Sequence, residues 1–356
     1  MKITKITAVI FGLALIGGCR QGAPSGELIS QPAQTPDPFF TILWAGDTLL
    51  GDAAQDDLDR YGYSWPFEFI SPLLVSDFAI ANAEAPITNR SRPWDPDQRW
   101  SYNANPLAAA ALAEAGFDAL GLSNNHAMDR GPRGLRDTRR HLQAHALEPF
   151  GGGMYQAQAE TPLLVDTPYG MVGVVALSLN WGSDRTAGEY HAGTVVLNEE
   201  SIQRGYQLAK AAGASWVTAY VHWGQNYTAV DADQRRWAKM FAQAGFHLVV
   251  GHGAHVVQSI EIVEGMPVVY SLGNFVFGTP GRFTPDYPGY GLLVISQLGP
   301  QGFGSLVIHC IQTDNDIVAY QPRPCTNDQS QEVLGTLHPG VFIQENTGLL
   351  SLAGDE

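Results

Sequence analysis

Charged side chains are scarce in this 356-residue chain, at 15% of the sequence, and the basic ones are scarcest. Twenty Lys and Arg stand against 35 Asp and Glu, a formal net charge of −15. Such a surface repels nucleic-acid phosphate and sets duplex binding aside. An anionic substrate would need metal ions or a local basic pocket to supply positive charge. No Gly-x-Ser-x-Gly elbow is present, so nothing marks Ser/His/Asp hydrolase chemistry. Gly151-Gly152-Gly153 lacks a following Lys and Ser/Thr, which argues against a nucleotide loop. With three cysteines, none placed among the other candidate ligands, a Cys-rich structural zinc site is disfavoured. There is no internal repeat. What is plentiful is apolar: 45% hydrophobic residues suffice for one large core or two modest ones.

The N-terminus has the layout of an export signal. Lys2 and Lys5 precede an apolar run, Ala8 to Ile16, too short for a membrane span, and Gly17-Gly18-Cys19 follows. Removing residues 1–18 leaves 18 basic against 35 acidic side chains, or −17. Ile16–Cys19 resembles a bacterial lipobox, which implies a lipidated Cys19 and a membrane held through a lipid anchor; the alternative is a plain signal peptide cut nearby. Arg rather than Asp at position 20 points such a lipoprotein to the outer membrane where the cell has one. Residues 19–38 are rich in Pro, Gly, Ser and Gln, the composition of a tether. Cys310 and Cys325 are then natural disulfide partners in an oxidising compartment, or else two free buried thiols.

One domain is expected over residues 39–356. Apolar runs alternate with helix-like segments. Strands are expected at Phe39–Ala45, Phe78–Ala81, Ala119–Leu122, Met171–Leu177, Trp216–Val221, Leu248–Val250, Val268–Ser271, Leu292–Ile295 and Ser305–Ile311. Helices are expected at Pro66–Val75, Pro106–Ala115, Arg133–Ala144, Glu199–Ala212 and Asp233–Ala244. Alternation of this kind predicts an α/β or layered αββα fold with much parallel sheet. The long connection Ala85–Asn105, with Arg90, Arg92, Trp94, Arg99 and Trp100, is either a rim over a site or a solvated loop.

Polar residues able to bind metal recur just after strands: Asp47, Asn82 and Glu84, Asn125 and His126, His222, His252 and His255. Strand ends in an open α/β sheet converge on one edge. Carboxylates, imidazoles and a carboxamide together suit Mn, Fe or Zn. Asn125 offers a carboxamide oxygen, and His126 can move a proton near neutral pH. Asp129 either orients His126 or caps the loop; Gly131 lets the backbone turn into the next helix. Asn274 binds ligand or backbone, and Trp223 stacks on substrate or packs over the site.

The ordered set GDTLLGD (46–52), NAE (82–84), NNHAMDRG (124–131), HWGQNY (222–227), GHGAHVVQSIE (251–261) and YSLGNFVF (270–277) resembles the CapA-type capsule biosynthesis family, over roughly residues 40–295. That family is associated with poly-γ-glutamate capsule and looks like a branch of the calcineurin-like metallophosphoesterase superfamily. The resemblance implies a four-layer αββα sandwich with a divalent centre of one or two metals. It implies Asp47, Glu84, Asn125, His222, His252 and His255 as metal ligands, with Glu84 as the bridging carboxylate. It makes His126 the candidate acid. Read from the residues themselves, Asp129 beside it is a candidate catalytic residue, and Asn82, Trp223 and Asn274 are candidates for substrate contact. The chain departs from the pattern at Leu49, in place of a second His ligand, at Asn226, in place of Glu, and at Gly253-Ala254, in place of His-Pro. The spacing from His252 to His255 is also one residue longer than Gly-His-x-His. The expected function is an envelope-anchored, metal-dependent hydrolase or transferase acting on an anionic envelope or capsule polymer, within a capsule synthesis or export complex. The rival is a non-catalytic polymer-binding or export accessory protein with a degraded metal site.

Overall fold

The computed structural model describes residues 38–352 except 180, 181 and 183. The expected signal, the tether and Cys19 lie outside the described residues. From Pro38 onward the chain forms one unit. Its strands are β1 (Phe40–Leu49), β2 (Phe78–Ala83), β3 (Ala119–Gly121), β4 (Glu148–Phe150), β5 (Gly152–Gly153), β6 (Leu163–Val165), β7 (Val172–Ser178), β8 (Gly193–Thr194) and β9 (Trp216–His222). They continue with β10 (Leu248–His252), β11 (Ile260–Val263), β12 (Met266–Val269), β13 (Asn274–Phe277), β14 (Tyr290–Gly299), β15 (Gly302–Gln312), β16 (Arg323–Pro324), β17 (Val341–Gln344) and β18 (Thr347–Ser351). The helices are α1 (Gln55–Tyr61), α2 (Leu107–Glu114), α3 (Gly131–Ala144), α4 (Gln156–Ala159), α5 (Glu199–Ala211), α6 (Ala232–Ala244), α7 (Asn315–Val318) and α8 (Asn327–Gly335).

Two large sheets result. One runs β17-β18-β15-β14-β1-β2-β3-β4, with β13 also paired to β1 and β16 to β15; the other runs β11-β12-β10-β9-β7-β6. Strand alternation explains how they stack. Ile42 and Trp44 of β1 join Ile80, Val174, Tyr220, Val250 and Val294 in a core between the sheets. Leu43 and Ala45 face the other way, onto Leu58 of α1, Leu112 of α2 and Leu135 and Leu142 of α3. Val217, Ala219 and Val221 of β9 face Ile202 and Ala209 of α5 and Ala238 and Phe241 of α6. The layers are therefore helix, sheet, sheet, helix: the αββα sandwich that the resemblance implies. Helix ends follow local chemistry. Asn198 and Asp231 close capping boxes on α5 and α6, and Gly245 ends α6 in the left-handed region at φ 98°.

Residues 66–75 do not form the expected helix. They make two short 3₁₀ turns, Trp65–Phe67 and Ser71–Leu73, each with a proline in its first turn. Pro72 supplies no N–H and its ring clashes with the preceding turn, so no helix runs through it. Among the described residues no helix is long and apolar enough to cross a membrane.

Cys310 and Cys325 are disulfide-bonded across a 15-residue separation, tying β15 to the segment that leads into α8. Closing a loop of that length stabilises by about 3 kcal/mol in the chain-entropy account. Reduction should therefore lower the melting temperature without changing metal content. An unchanged melting temperature after complete reduction, followed by thiol titration, would contradict this.

Candidate metal centre

The polar residues sit where the strands stop. Asp47 of β1 pairs in register with Asn82 of β2 and with Asn274 of β13. In the second sheet, His252 of β10 pairs with His222 of β9. Close approach of the strands requires glycine at Gly46, where a Cβ would collide with the Gly273 carbonyl. Gly253, at φ 102°, brings its N–H within 3.0 Å of Asp47 Oδ2, and a Cβ there would press on the His222 ring. This accounts for glycine at a position where the family pattern usually has His.

Asp47, Glu84, His222, His252 and His255 meet in one buried cluster. Two overlapping triads form: Asp47, His222 and His252, and Asp47, Glu84 and His255, the donor atoms of each lying within 4.8 Å of one another. Asp47 is the carboxylate common to both. Glu84, expected as the bridge, has Oε1 3.7 Å from both His222 Nε2 and His255 Nε2. Those separations are too long for hydrogen bonds. They are close to what two ligands show across one ion at bonds of about 2.1 Å. His222 Nδ1 and His252 Nδ1 approach to 3.1 Å, with Asp47 Oδ1 at 3.8 and 3.2 Å. Only one proton fits between those two nitrogens, whereas a cation satisfies all three atoms. Glu84 Oε1 and Asn125 Oδ1 are buried without a hydrogen-bond partner, as is His252 Nε2. Buried acceptors left unpaired are costly, and a divalent ion is the chemistry that satisfies them. The donor set thus fits a borderline divalent metal.

Outer contacts hold these ligands. Asn274 Oδ1 lies 2.9 Å from His255 Nδ1, leaving Nε2 for the centre. His255 itself takes φ 60°, an uncommon conformation for a non-glycine residue and one that recurs at functional sites. Asn82 Nδ2 donates to Asp47 Oδ1 at 2.9 Å, and Asn124 Nδ2 donates to Asn82 Oδ1 at 2.9 Å.

His126 and Asp129 stand beside the cluster. His126 Nδ1 lies 2.7 Å from Asp129 Oδ2, and the Tyr102 ring packs 4.4 Å from the imidazole. Asp129 also accepts from the Tyr102 N–H at 2.7 Å, Gln98 Nε2 at 2.8 Å and Arg185 Nη1 at 3.3 Å. Asp129 therefore both orients His126 and fixes the surrounding loops.

Electrostatics follow from burial and proximity. Burial works to raise Asp47, but bonds to His252 and His255 and the charges of His255 and His222 outweigh it and hold the carboxyl well below its ordinary range. Glu84 goes the other way: burial first, then the Asp47 carboxylate, then Asp129, push it well above. Burial, helped by the neighbouring histidines, holds His222 well below the ordinary histidine value despite Asp47.

A cavity of about 310 Å³ opens over the cluster, lined by Asn125, His126 and His255 together with Gln98, Arg99, Trp100, Tyr102, Arg185, Asn226, Tyr227, Phe277, Thr279, Pro280 and Arg282. The connection 85–105 thus supplies a wall. Burial pushes the Tyr102 phenol up to about 12, against a bond to Thr279, so it lines the cavity as a neutral group.

The three residues expected to touch substrate do not line this cavity. Asn82 and Asn274 are buried beneath the ligands. Trp223 packs against Phe241 and Tyr270 on the helix side, its indole N–H bonded to the Tyr270 carbonyl at 2.8 Å. Strand alternation explains the last: Trp223 follows His222, so the two point to opposite faces. Gln98, Tyr102, Arg185, Tyr227 and Arg282 were not singled out in the sequence. Only Tyr227 falls within a motif, and loop residues carry no periodic signal.

Comparison with known proteins fits this geometry. The chain is 27% identical over 309 residues to the PGA biosynthesis protein CapA of Bacillus subtilis, covering 84% of this chain and 79% of that one. It is 28% identical over 269 residues to the capsule biosynthesis protein CapA of Bacillus anthracis, covering 73% and 65%. A probable polyglutamine synthesis accessory protein of Mycobacterium tuberculosis is 27% identical over 305 residues, covering 73% and 77%. A sequence profile matches residues 41–279, most of the sandwich, and by that match the chain belongs to the bacterial capsule synthesis protein PGA_cap family.

Proposed function

We propose that this protein serves capsule or poly-γ-glutamate biosynthesis as a metal-dependent hydrolase or transferase acting on an anionic envelope polymer. One observation carries the reading: the unpartnered, buried Glu84 Oε1, equidistant at 3.7 Å from nitrogens of His222 and His255, the second of which lines a cavity that also holds three arginines. Asp47, Glu84, Asn125, His222, His252 and His255 would hold one or two divalent ions. Bound there, the ions would supply Lewis acidity and an acidified water. The chain's own groups do the rest. Asp129 holds the proton of neutral His126 on Nδ1, which leaves Nε2 as the nitrogen available to the cavity. When protonated, the ring can pass a proton from Nε2 to a departing oxygen or nitrogen. Tyr102, against the ring, restrains its rotation.

The test is metal content of the purified protein with turnover of polymer and of generic phosphodiesters. Stoichiometric transition metal and metal-dependent product release are expected. A second reading, a non-catalytic polymer-binding or export accessory protein, draws on Leu49, which packs with Ala85, Tyr102 and Phe277 and offers no donor two residues beyond Asp47. No metal and no turnover with added manganese would favour it. The same proposal puts the protein at the envelope, anchored by lipid on Cys19. Cys19→Ser should then release it from the membrane fraction, and retention there would refute the anchor.

Metal binding should displace protons. Raised above its ordinary 4.5, Glu84 contributes stability to the metal-free fold below that value and loses it as pH rises through its folded pKa. A metal that binds ionised Glu84 reverses this loss. His222, lowered from 6.5, contributes above that value and loses its contribution as pH falls; protonation there also competes with metal. Both effects have the same sign for metal. The rise in melting temperature on adding manganese to chelated protein should be larger at pH 8 than at pH 5.5. An equal rise would mean that these groups do not carry the exchanged protons.

A further inference from the structure

We infer that Arg99 and Arg282 are two carboxylate-reading positions that thread an extended, singly charged polyamide chain across the cavity. This rests on the cavity being where polymer is bound, and it adds which groups recognise the polymer and what the polymer must carry. Three arginines line the cavity, Arg99, Arg185 and Arg282, and of these only Arg185 is held by an acid. Elsewhere Arg90 and Arg140 pair with Asp137, Arg204 with Glu160, Arg235 with Glu261 and Arg236 with Asp233. Arg99 and Arg282 line the cavity and form no ion pair among the described residues. Each is instead set on an aromatic ring. The Arg99 guanidinium lies 5.1 Å from the Trp100 ring centre, and that of Arg282 lies 4.9 Å from the Tyr227 ring centre.

The aromatic neighbour positions each guanidinium, and Arg282 also hydrogen-bonds the Tyr227 phenol, so its remaining N–H groups are the ones left for a carboxylate. The two come from different loops, Arg99 from the 85–105 connection and Arg282 from the segment after β13. Tyr227 in turn stacks on His255 at 5.6 Å, which links the Arg282 position to the metal cluster. Neither position has a second free cation: Arg185, the third arginine of the cavity, is bound to Asp129, the Asn125 carbonyl and Gln98. Each place therefore offers one guanidinium to one carboxylate. A polyphosphate, with dense charge, would find too few partners and an acidic protein around them.

The probe is a short oligomer of γ-linked glutamate, titrated calorimetrically into the chelated full-length protein, where no turnover occurs. Binding should weaken by about tenfold for Arg99→Gln and for Arg282→Gln, and by about a hundredfold for both, as loss of one and two charge-assisted contacts implies. The salt dependence of binding should flatten in step. Both side chains are exposed, so melting temperatures should stay unchanged, and Arg236→Gln, paired with Asp233, should bind as wild type. Wild-type affinity in the double variant would overturn the proposal. So would equal affinity for polyphosphate of the same length, or for free glutamate, which would mean that a chain end is read. Because binding is measured without metal, failure of the catalytic reading would leave this result standing, and the reverse holds too.

Discussion

Asp47→Asn is expected to empty the centre of metal. Asp47 is the one carboxylate in both triads, so its charge is lost to every ion the cluster could hold. The substitution keeps size and shape but cannot keep the bonding. Oδ1 accepts from Asn82 Nδ2 and Oδ2 from the Gly253 N–H. Whichever oxygen becomes NH₂ then faces a donor inside a fully buried site, at a cost of about 1–3 kcal/mol. Changes to outer partners of metal ligands already cost 10–100-fold in affinity or activity, so loss of the shared ligand should cost at least about a thousandfold. At free metal a hundred times the dissociation constant, the wild type gains about 2.7 kcal/mol from binding, and the variant should gain none. Elemental analysis and paired melts with and without manganese measure both. Glu84→Gln, a member of one triad, should retain part of the metal. Stoichiometric metal in Asp47→Asn would mean that the cluster is not the binding site.

The sequence was most informative where residues obey a periodic or terminal rule. The apolar runs at 39–45, 171–177 and 216–221 became β1, β7 and β9, because buried parallel strands are continuous in hydrophobicity. The edge strands β4, β6, β11 and β17, and β18 next to β17, escaped because they are short and partly exposed, so their pattern is diluted. At the site, Asp47, Glu84, His222, His252 and His255 were legible since each lies at or just past the end of an apolar run, and register brings such ends together. The cavity wall was not. Arg185 and Arg282 lie in loops where neither spacing nor composition separates a lining residue from a solvated one. Asn82 and Asn274 were read as facing substrate, yet they lie one shell beneath. Sequence position places a residue near the strand end but does not say whether its amide points outward or back toward the ligands.

The division between holding metal and moving protons can be tested by changing only the second. His126→Gln should leave metal content unchanged while lowering kcat on substrates with poor leaving groups by about 10²–10⁴, the usual worth of a positioned proton donor. An ester whose leaving group is an acidic phenol needs no proton as it departs, so its turnover should change little. Asp129→Asn should share that selectivity for a different reason. Its oxygen will be held toward Arg185 and Gln98, which both donate to Oδ1 of Asp129. The new NH₂ then faces His126 Nδ1 where Oδ2 stood. That nitrogen can only accept, so the neutral ring carries its proton on Nε2, the reverse of the tautomer in the wild type. Nitrogen chemical shifts of His126 in the metal-free protein report the reversal directly, independent of any substrate. Added imidazole should partly restore a His126→Ala variant on poor leaving groups, and should do nothing for Asp129→Asn, whose own ring still fills the space. Equal losses on good and poor leaving groups would remove His126 from proton transfer and leave it a wall residue beside Tyr102.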